Sequence, residues 1–260
     1  MALAFSASAA WCDEPLWELG LGATSLSLPH YRGSDQRHTW LLPLPYGTYR
    51  GDILRADRDG ARAMLFEDGR LDLEMSLSAS PPTRSEDNLA RAGMPDLAAT
   101  LELGPKLNVA LTRGATWRLD LRLPVRAAIT FPGAPRLVGW TATPNLNLDT
   151  QWAGWDLGLM TGPIWSSREF NGYYYDVPAA YASATRPAYR AAAGAAGWQA
   201  TLGASRREGP LWLGVFARAD SLAGASFVNS PLVRQHANGS VGAALAWVFA
   251  TSSQRVPDER

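Results

Sequence analysis

The sequence predicts an all-β protein, a single antiparallel up-and-down transmembrane β-barrel of about 12 strands (roughly 10–14). Charged residues make up 18% of the chain and apolar residues 47%, whereas soluble domains carry roughly 25% charge. The 24 glycines and 18 prolines can supply many turns, and 11 tryptophans with 8 tyrosines exceed the needs of one core. Apolar and polar residues also alternate with period two, as they do in strands.

The alternation is clearest in four long segments. In Thr116–Thr130, the leucines and Trp117 fall on one face, while the arginines and Asp120 fall on the other. A helix would scatter these side chains around its circumference, but a strand sorts them onto two faces. The other three segments with this pattern are Arg70–Ser80, Asp96–Thr112 and Val138–Trp152.

Shorter or weaker segments complete the predicted strands, and turn residues such as Asp68-Gly69 and Arg113-Gly114 separate most of them. These strands are Leu16–Leu28, Trp40–Tyr49, Asp52–Asp57, Ala61–Glu67, Trp155–Ser166, Tyr189–Arg206, Leu211–Ser221 and Gly239–Phe249. The longer polar connections Pro81–Pro95, Glu169–Pro187 and Ala223–Asn238 are expected to be the outer loops.

Alternation alone does not show which face of a strand contacts water, and the strands of a periplasmic β-sandwich would alternate as well. Three arguments favour the membrane barrel. A soluble barrel of about twelve strands would enclose more space than its side chains fill. The longest strands suit a tilted crossing of about 9–11 residues. Tryptophans near strand ends match an interfacial girdle; these are Trp117, Trp152, Trp155, Trp165, Trp198, Trp212 and Trp247.

If the apolar faces contact lipid, the polar faces enclose the lumen. The candidate lumen-lining residues are Asp72, Glu74, Glu102, Lys106, Arg118, Asp120, Arg122 and Arg126. Both signs of charge occur, so these side chains can pair across the interior, and a narrow pore remains the alternative to this structural network.

The N-terminal segment resembles the end of a secretory signal peptide, with small residues at Ala7–Ala10. We expect a signal-peptide remnant at 1–10, the barrel at 11–249 and a C-terminal tail at 250–260; a merely alanine-rich, disordered N-terminus is the alternative for the first segment. Cys12 follows Trp11 rather than a small residue, so a lipid-anchored cysteine is disfavoured. No apolar run of 18 residues is present, which argues against a transmembrane helix. A net charge of +0 gives no electrostatic case for nucleic acid.

No motif in the chain carries chemistry, so we predict no catalytic, metal-binding or cofactor-binding residues. The three histidines, His30, His38 and His236, lack metal-ligand spacing. A rim hydrolase using His236 with Ser240, or Asp35 with His38, is a weaker alternative. The 57–60 segment hints at a calcium loop but reads better as a hairpin turn.

Several segments resemble the MltA-interacting protein / OmpV (MipA/OmpV) family of outer-membrane barrels. The resemblance is carried by Gly20-Leu21-Gly22 with Pro29–Asp35, by Tyr49-Arg50-Gly51 and Ala92–Asp96, and later by Tyr173–Val177, Pro187–Gly194, Asn229–Val233 and Trp247–Phe249. The chain departs from the family in the 115–135 region, which lacks a Gly-His-Gly pattern, and in continuing past Phe249.

The resemblance implies a non-enzymatic scaffold in the outer membrane of a Gram-negative bacterium. It further implies, as partners, a murein lytic transglycosylase and a penicillin-binding murein synthase, besides outer-membrane lipid. A passive porin-like channel for small solutes is the alternative from another class. For recognition by the loops, we expect Tyr173, Tyr174 and Tyr175 to be exposed candidates or rim anchors.

Overall fold

The computed structural model describes residues 14–57 and 60–256. The expected signal-peptide remnant lies outside the described residues, as do Cys12 and the last four residues. Within these ranges, no helix has the length and apolar character needed to cross a membrane.

The described chain forms fifteen strand segments and one short α-helix. The strands are β1 (Glu14–Pro15), β2 (Trp17–Pro29), β3 (Arg37–Arg50), β4 (Leu54–Asp57), β5 (Gly60–Glu67), β6 (Leu71–Ser80), β7 (Ala99–Arg113), β8 (Trp117–Phe131), β9 (Leu137–Ala142), β10 (Asn145–Trp152), β11 (Trp155–Ser166), β12 (Gly194–Glu208), β13 (Leu211–Ser221), β14 (Ala237–Thr251) and β15 (Arg255–Val256). The helix α1 spans Arg168–Tyr175.

Strands β2–β14 form one antiparallel sheet of 13 strands in which each strand pairs with its sequence neighbours, except that β9 and β10 do not pair with each other, and β14 pairs back with β2. Strands β9 and β10 each pair with both β8 and β11, so they share one position in the wall. The barrel is therefore closed with 12 strand positions, and the predicted fold class is confirmed.

The two faces of each strand differ in the way that a membrane barrel requires. On β8, Val125 is 48% exposed on the outer face, whereas Asp120 is 3% exposed on the inner face. Outward leucines and tryptophans recur around the wall, and buried residues of the barrel body are mainly polar. This is the reverse of a soluble barrel, which keeps its apolar face inside.

Two predicted details were wrong. The Val138–Trp152 segment is two strands, because Pro144 has no N–H to continue the ladder. The strand predicted from Tyr189 begins at Gly194. The predicted loop 169–187 contains α1, whose first turn is capped by the Ser167 hydroxyl accepting from the Phe170 N–H at 3.2 Å.

The connections at the two ends of the barrel are unlike each other. The turns beside residues 14 and 256 are short, and we call this side the turn end. The opposite side, the loop end, carries four long connections, residues 30–36, 81–98, 167–193 and 222–236. These four loops pack on one another, and we call the resulting layer the cap.

Candidate functional site

All eight predicted lumen-lining residues lie on the inner faces of β6, β7 and β8. The even-numbered side of these strands faces inward, as the burial of Glu74, Lys106 and Asp120 shows. The inner face of this part of the wall, from β5 to β10, is rich in charged and amide side chains, and we call it the charged wall.

Glu74 is the centre of one ion cluster on the charged wall. Its side chain is 2% exposed and pairs through Oε1 with the Lys106 ammonium. The Arg62 Nε lies 3.4 Å from the other carboxylate oxygen. Two cations on flanking strands therefore share one buried carboxylate, which ties β5, β6 and β7 together.

A second cluster joins β6, β8 and β10. Arg118 Nε donates to Asp120 Oδ1 at 2.8 Å, and its Nη2 lies 3.7 Å from Asp72 Oδ2. Arg122 Nη2 lies 3.4 Å from Asp149 Oδ2. Opposite charges on one wall neutralise each other over a few ångströms, so they do not create a ring of one sign that would select ions.

Glu102 and Arg126 are bound to hydroxyl groups rather than to this cluster. Thr141 Oγ1 donates to Glu102 Oε2 at 3.1 Å, and Arg126 Nε donates to Ser76 Oγ at 2.9 Å. The prediction also missed three charged residues of this wall, Arg62, Glu67 and Asp149. Asp149 was already on a polar face of a predicted strand, but Arg62 sits in a short segment with weak alternation.

The opposite part of the lumen, β11–β14 with β2 and β3, is lined mainly by small and apolar side chains. Here Gly203 and Gly242 face inward, with Phe216 and Leu26 packed over Gly242. One ion pair stands at its turn end, where Arg207 Nη1 lies 2.8 Å from Glu18 Oε1. Arg207 therefore faces the lumen. Trp212 also faces inward, against Tyr46, so its predicted place in the girdle was wrong.

The three consecutive tyrosines lie inside the cap. Tyr175 is 4% exposed, stacks on Phe227 with ring centroids 3.7 Å apart, and donates its hydroxyl proton to the Arg32 carbonyl at 2.8 Å. The expectation of an exposed Tyr175 was therefore wrong. Tyr173 donates to the Ala98 carbonyl at 3.0 Å, and Tyr174 contacts both neighbouring rings.

Burial in the cap changes the titration of these phenols. Loss of solvent is the main cause that raises the pKa of Tyr174 and of Tyr31 to about 12, and it also raises the pKa of Tyr175. Tyr31 donates to the Leu232 carbonyl at 2.8 Å. A neutral phenol with a buried partner holds loops together, so these tyrosines serve the packing of the cap.

A cleft of about 440 Å³ is lined by residues of the cap and of the start of β9. Arg168 Nη2 is 2.8 Å from Asp176 Oδ2 at its edge, and Arg136 lies 5.7 Å above the Tyr173 ring. Acidic and basic side chains both line it, so its charge does not point to one class of ligand.

The residue pairs considered for hydrolysis do not come together as a catalytic site. His236 receives a backbone bond from Leu222 at its carbonyl, and Ser240 is buried on the inner face of β14. His38 packs on Trp40, and Asp35 lies 3.9 Å from Arg234. Among the described residues, no group of three or more His, Cys, Asp or Glu side chains could hold a metal ion.

Residues 19–249 match the family model described as "MltA-interacting protein MipA". The chain belongs to this family. The match spans most of the chain and agrees with the resemblance found in the sequence. No curated protein sequence matches the chain.

The solved structures that the chain resembles at a low level include outer-membrane phospholipases and a toluene transporter. The outer membrane phospholipase dimer of Salmonella typhi with bound calcium is 11% identical, with a TM-score of 0.37, over 92% of this chain and 93% of that one. The phospholipase A of Escherichia coli is 12% identical, with a TM-score of 0.35, over 94% of each chain. The Ralstonia pickettii toluene transporter TbuX is 12% identical, with a TM-score of 0.26, over 92% of this chain and 70% of that one.

Segments that carried the resemblance to the MipA family meet in the cap. Gly33 adopts a φ of +92° in the first loop, which a side chain would strain. Beside it, Leu232 is fully buried, and Ser230 donates to the Tyr175 carbonyl at 2.7 Å. These family residues are therefore explained by packing at the loop end.

At the turn end of this MipA-family barrel, the segments before β2 and after β14 pair with each other. Strand β1 pairs with β15, and the Leu16 N–H donates to the Gln254 carbonyl at 3.0 Å. Arg50 Nε lies 2.6 Å from Glu14 Oε2. Part of the expected C-terminal tail is thus ordered against the barrel.

Proposed function

We propose that this MipA-family barrel is a non-enzymatic scaffold of the Gram-negative outer membrane that binds a murein lytic transglycosylase. The observation that carries the proposal is the family match over residues 19–249, whose description names MltA as the partner. The outward apolar faces and the polar interior support a location in a bilayer.

The barrel interior supports a scaffold better than an open channel. Paired charges such as Glu74–Lys106 and Arg118–Asp120 cross the charged wall, and the cap covers the loop end. In a planar-bilayer recording we expect a silent membrane. Discrete conductance steps that change in Arg118→Ala would favour the porin-like alternative.

Binding is proposed for the turn end. If the loops face outward, as is usual for outer-membrane barrels, the short turns face the periplasm, where murein lies. Ile53 is 69% exposed in one of these turns, next to the Leu54 side chain at 59%. Exposed apolar groups at an end of the barrel can contribute to a protein contact.

The test uses the purified full chain in detergent and a purified lytic transglycosylase of the MltA type. We expect binding by the parent, weaker binding by Ile53→Asp, and parental binding by Leu89→Asp. Leu89 is the matched control, because it is 82% exposed at the loop end. Equal loss in both variants, or no binding by the parent, would contradict the proposal.

A second arm adds a penicillin-binding murein synthase to the same mixture. A bridging scaffold predicts one complex that contains all three proteins. Competition between the two enzymes for the barrel would limit the proposal to a single partner. Gel migration before and after boiling verifies that each variant is folded.

A further inference from the structure

The wall of the barrel is incomplete between β3 and β6. Strand β4 pairs with β3 only at Tyr49 and Arg50, although β3 continues to Arg37. Strand β5 pairs with β6 from Asp72 to Ser76. Because Asp57 pairs with Gly60, the β4–β5 hairpin turns back after four residues of β4. Among the described residues, no strand occupies the two positions above this hairpin, which leaves a space of roughly 10 Å.

The β3 margin of this gap is a strand edge that is kept from pairing. The Arg50 N–H points to the β2 side and the Gly51 N–H to the β4 side, so odd-numbered residues of β3 direct their backbone groups toward the gap. From Thr39 to Pro45, the described chain gives these groups no backbone partner. Two of the four odd positions, Pro43 and Pro45, have no N–H at all.

On the other margin, β6 ends at Ser80 and is followed directly by Pro81 and Pro82. Proline at an edge blocks the addition of another strand. A second copy of the chain, or a peptide that adds a strand, is therefore a poor occupant. At the loop end the gap is bounded by a contact between loops, in which Thr83 Oγ1 donates to the His30 carbonyl at 2.8 Å.

On the β3 side of the gap, the lumen is apolar. Tyr46 and Thr48 both point to Glu18 on the inner side of β3, so Trp40, Leu42 and Leu44 share that inner face by alternation. Leu42 is nevertheless 43% exposed, and outward Leu41 is 78% exposed. The same apolar surface continues to Leu26 and Phe216.

We infer that this gap is a lateral portal through which an acyl chain of a surrounding membrane lipid enters the lumen. Open sheet edges do not occur against hydrocarbon unless they line a cavity or are covered. An apolar chain can fill the space between the prolines and lie on the inward side chains of β2 and β3. The inference rests on the membrane location proposed above, and it is independent of the transglycosylase.

The test places the photoreactive residue p-benzoylphenylalanine at single positions of the full chain in vesicles of phosphatidylethanolamine and phosphatidylglycerol. Leu42 probes the inner side of the portal, and Leu41 next to it probes the lipid side. Met160 is the control, because it faces inward on β11, across the lumen. Mass spectrometry then detects lipid adducts after illumination.

We expect lipid adducts at Leu42 and Leu41 and none at Met160. Adducts at Leu41 alone would overturn the portal while leaving the membrane location intact. Equal adducts at Met160 and Leu42 would also overturn it, since lipid would then enter from an end. Absence of adducts at Leu41 would contradict the membrane location itself, whereas transglycosylase binding is measured separately in detergent.

A blocking variant supplies an independent readout. Ser78 lies on the inner face of β6 at the hairpin end of the gap and is exposed. We expect Ser78→Trp to abolish the adduct at Leu42, whereas Ala219→Trp, on the outer face of β13, leaves it unchanged. An adduct at Leu42 that survives Ser78→Trp undiminished contradicts entry through the gap.

Discussion

The barrel body and the cap bury opposite kinds of side chain: polar in the barrel body and apolar in the cap. In the described chain, each buried hydrophobic residue larger than valine lies in the cap or at a strand end beneath it. The barrel body instead buries carboxylates, amides and hydroxyls, and it exposes leucine and tryptophan. The comparison teaches that one chain can place apolar groups outside where the surroundings are hydrocarbon and inside where they are water.

The largest effect is expected from breaking the buried ion cluster of the barrel body. Glu74→Ala removes the buried carboxylate that Lys106 and Arg62 share, and removing one partner of a buried pair costs about 3–5 kcal/mol. We expect the free energy of unfolding in urea, followed by tryptophan fluorescence, to fall by that amount.

The matched control for this variant is Glu86→Ala in the cap. Glu86 pairs with Arg84 at 3.7 Å, and the two side chains are 75% and 72% exposed. Exposed pairs contribute about 0–1 kcal/mol, so the control should unfold almost like the parent. If both variants lost the same free energy of unfolding, the burial of the Glu74 cluster would not be what makes its ion pairs stronger than the exposed pair in the cap.

An effect that is confined to the cap is expected from Phe227→Ala. Phe227 is 1% exposed and stacks on Tyr175, and truncating a buried phenylalanine costs about 3–5 kcal/mol. We expect faster protease cleavage in the four loops, while the barrel still shifts in gel migration on boiling. Phe66→Ala, on the exposed outer face of β5, should leave the cleavage rate unchanged. Loss of the gel shift would show that cap and barrel unfold together.

The smallest effect is the response of the cap to alkaline pH. Burial raises the pKa of Tyr31 and of Tyr174 to about 12, above the value of about 10 for a free phenol. As pH rises, these phenols therefore lose their protons at a lower pH in the unfolded cap than in the folded cap. The stabilisation is fully present below about pH 10 and is lost as pH rises toward about 12.

Protease cleavage of the cap, measured across this pH range, checks that expectation. Tyr174→Phe should show less alkaline loss than the parent, because one of the titrating groups is gone. The same substitution would leave the pH profile unchanged if the loops were already open at neutral pH. That result would contradict the buried cap.

The sequence predicted the barrel body far better than the cap, for a physical reason. In a strand such as β8, apolar and polar residues alternate, so the sequence itself indicates which residues share a face and places Asp120 and Arg126 on the inner one. In the cap, burial arises from contacts between loops distant in the sequence, such as Tyr175 with Phe227. Local patterns carry no signal for such contacts, so Tyr175 was expected at the surface.

Two features of the wall were also beyond the sequence patterns. Pro144 interrupts an otherwise regular alternation, but only the pairing of β9 and β10 with the same neighbours shows that they share one position. The 52–57 segment was predicted as a strand, but the sequence pattern did not show that this strand is much shorter than its neighbour β3. Because β4 ends at Asp57 while β3 continues far beyond it, the wall opens there.

The pairing of β1 with β15 bears on the order of assembly. Residues 14–15 come before the first strand of the wall and residues 255–256 after the last, so this contact cannot form until β14 has been delivered beside β2. This pair lies beside the β14–β2 contact that closes the sheet and adds backbone pairing to that contact. A polypeptide shortened after Phe249 could still close the barrel through β14 and β2, but it would lack the β1–β15 pair beside that closure.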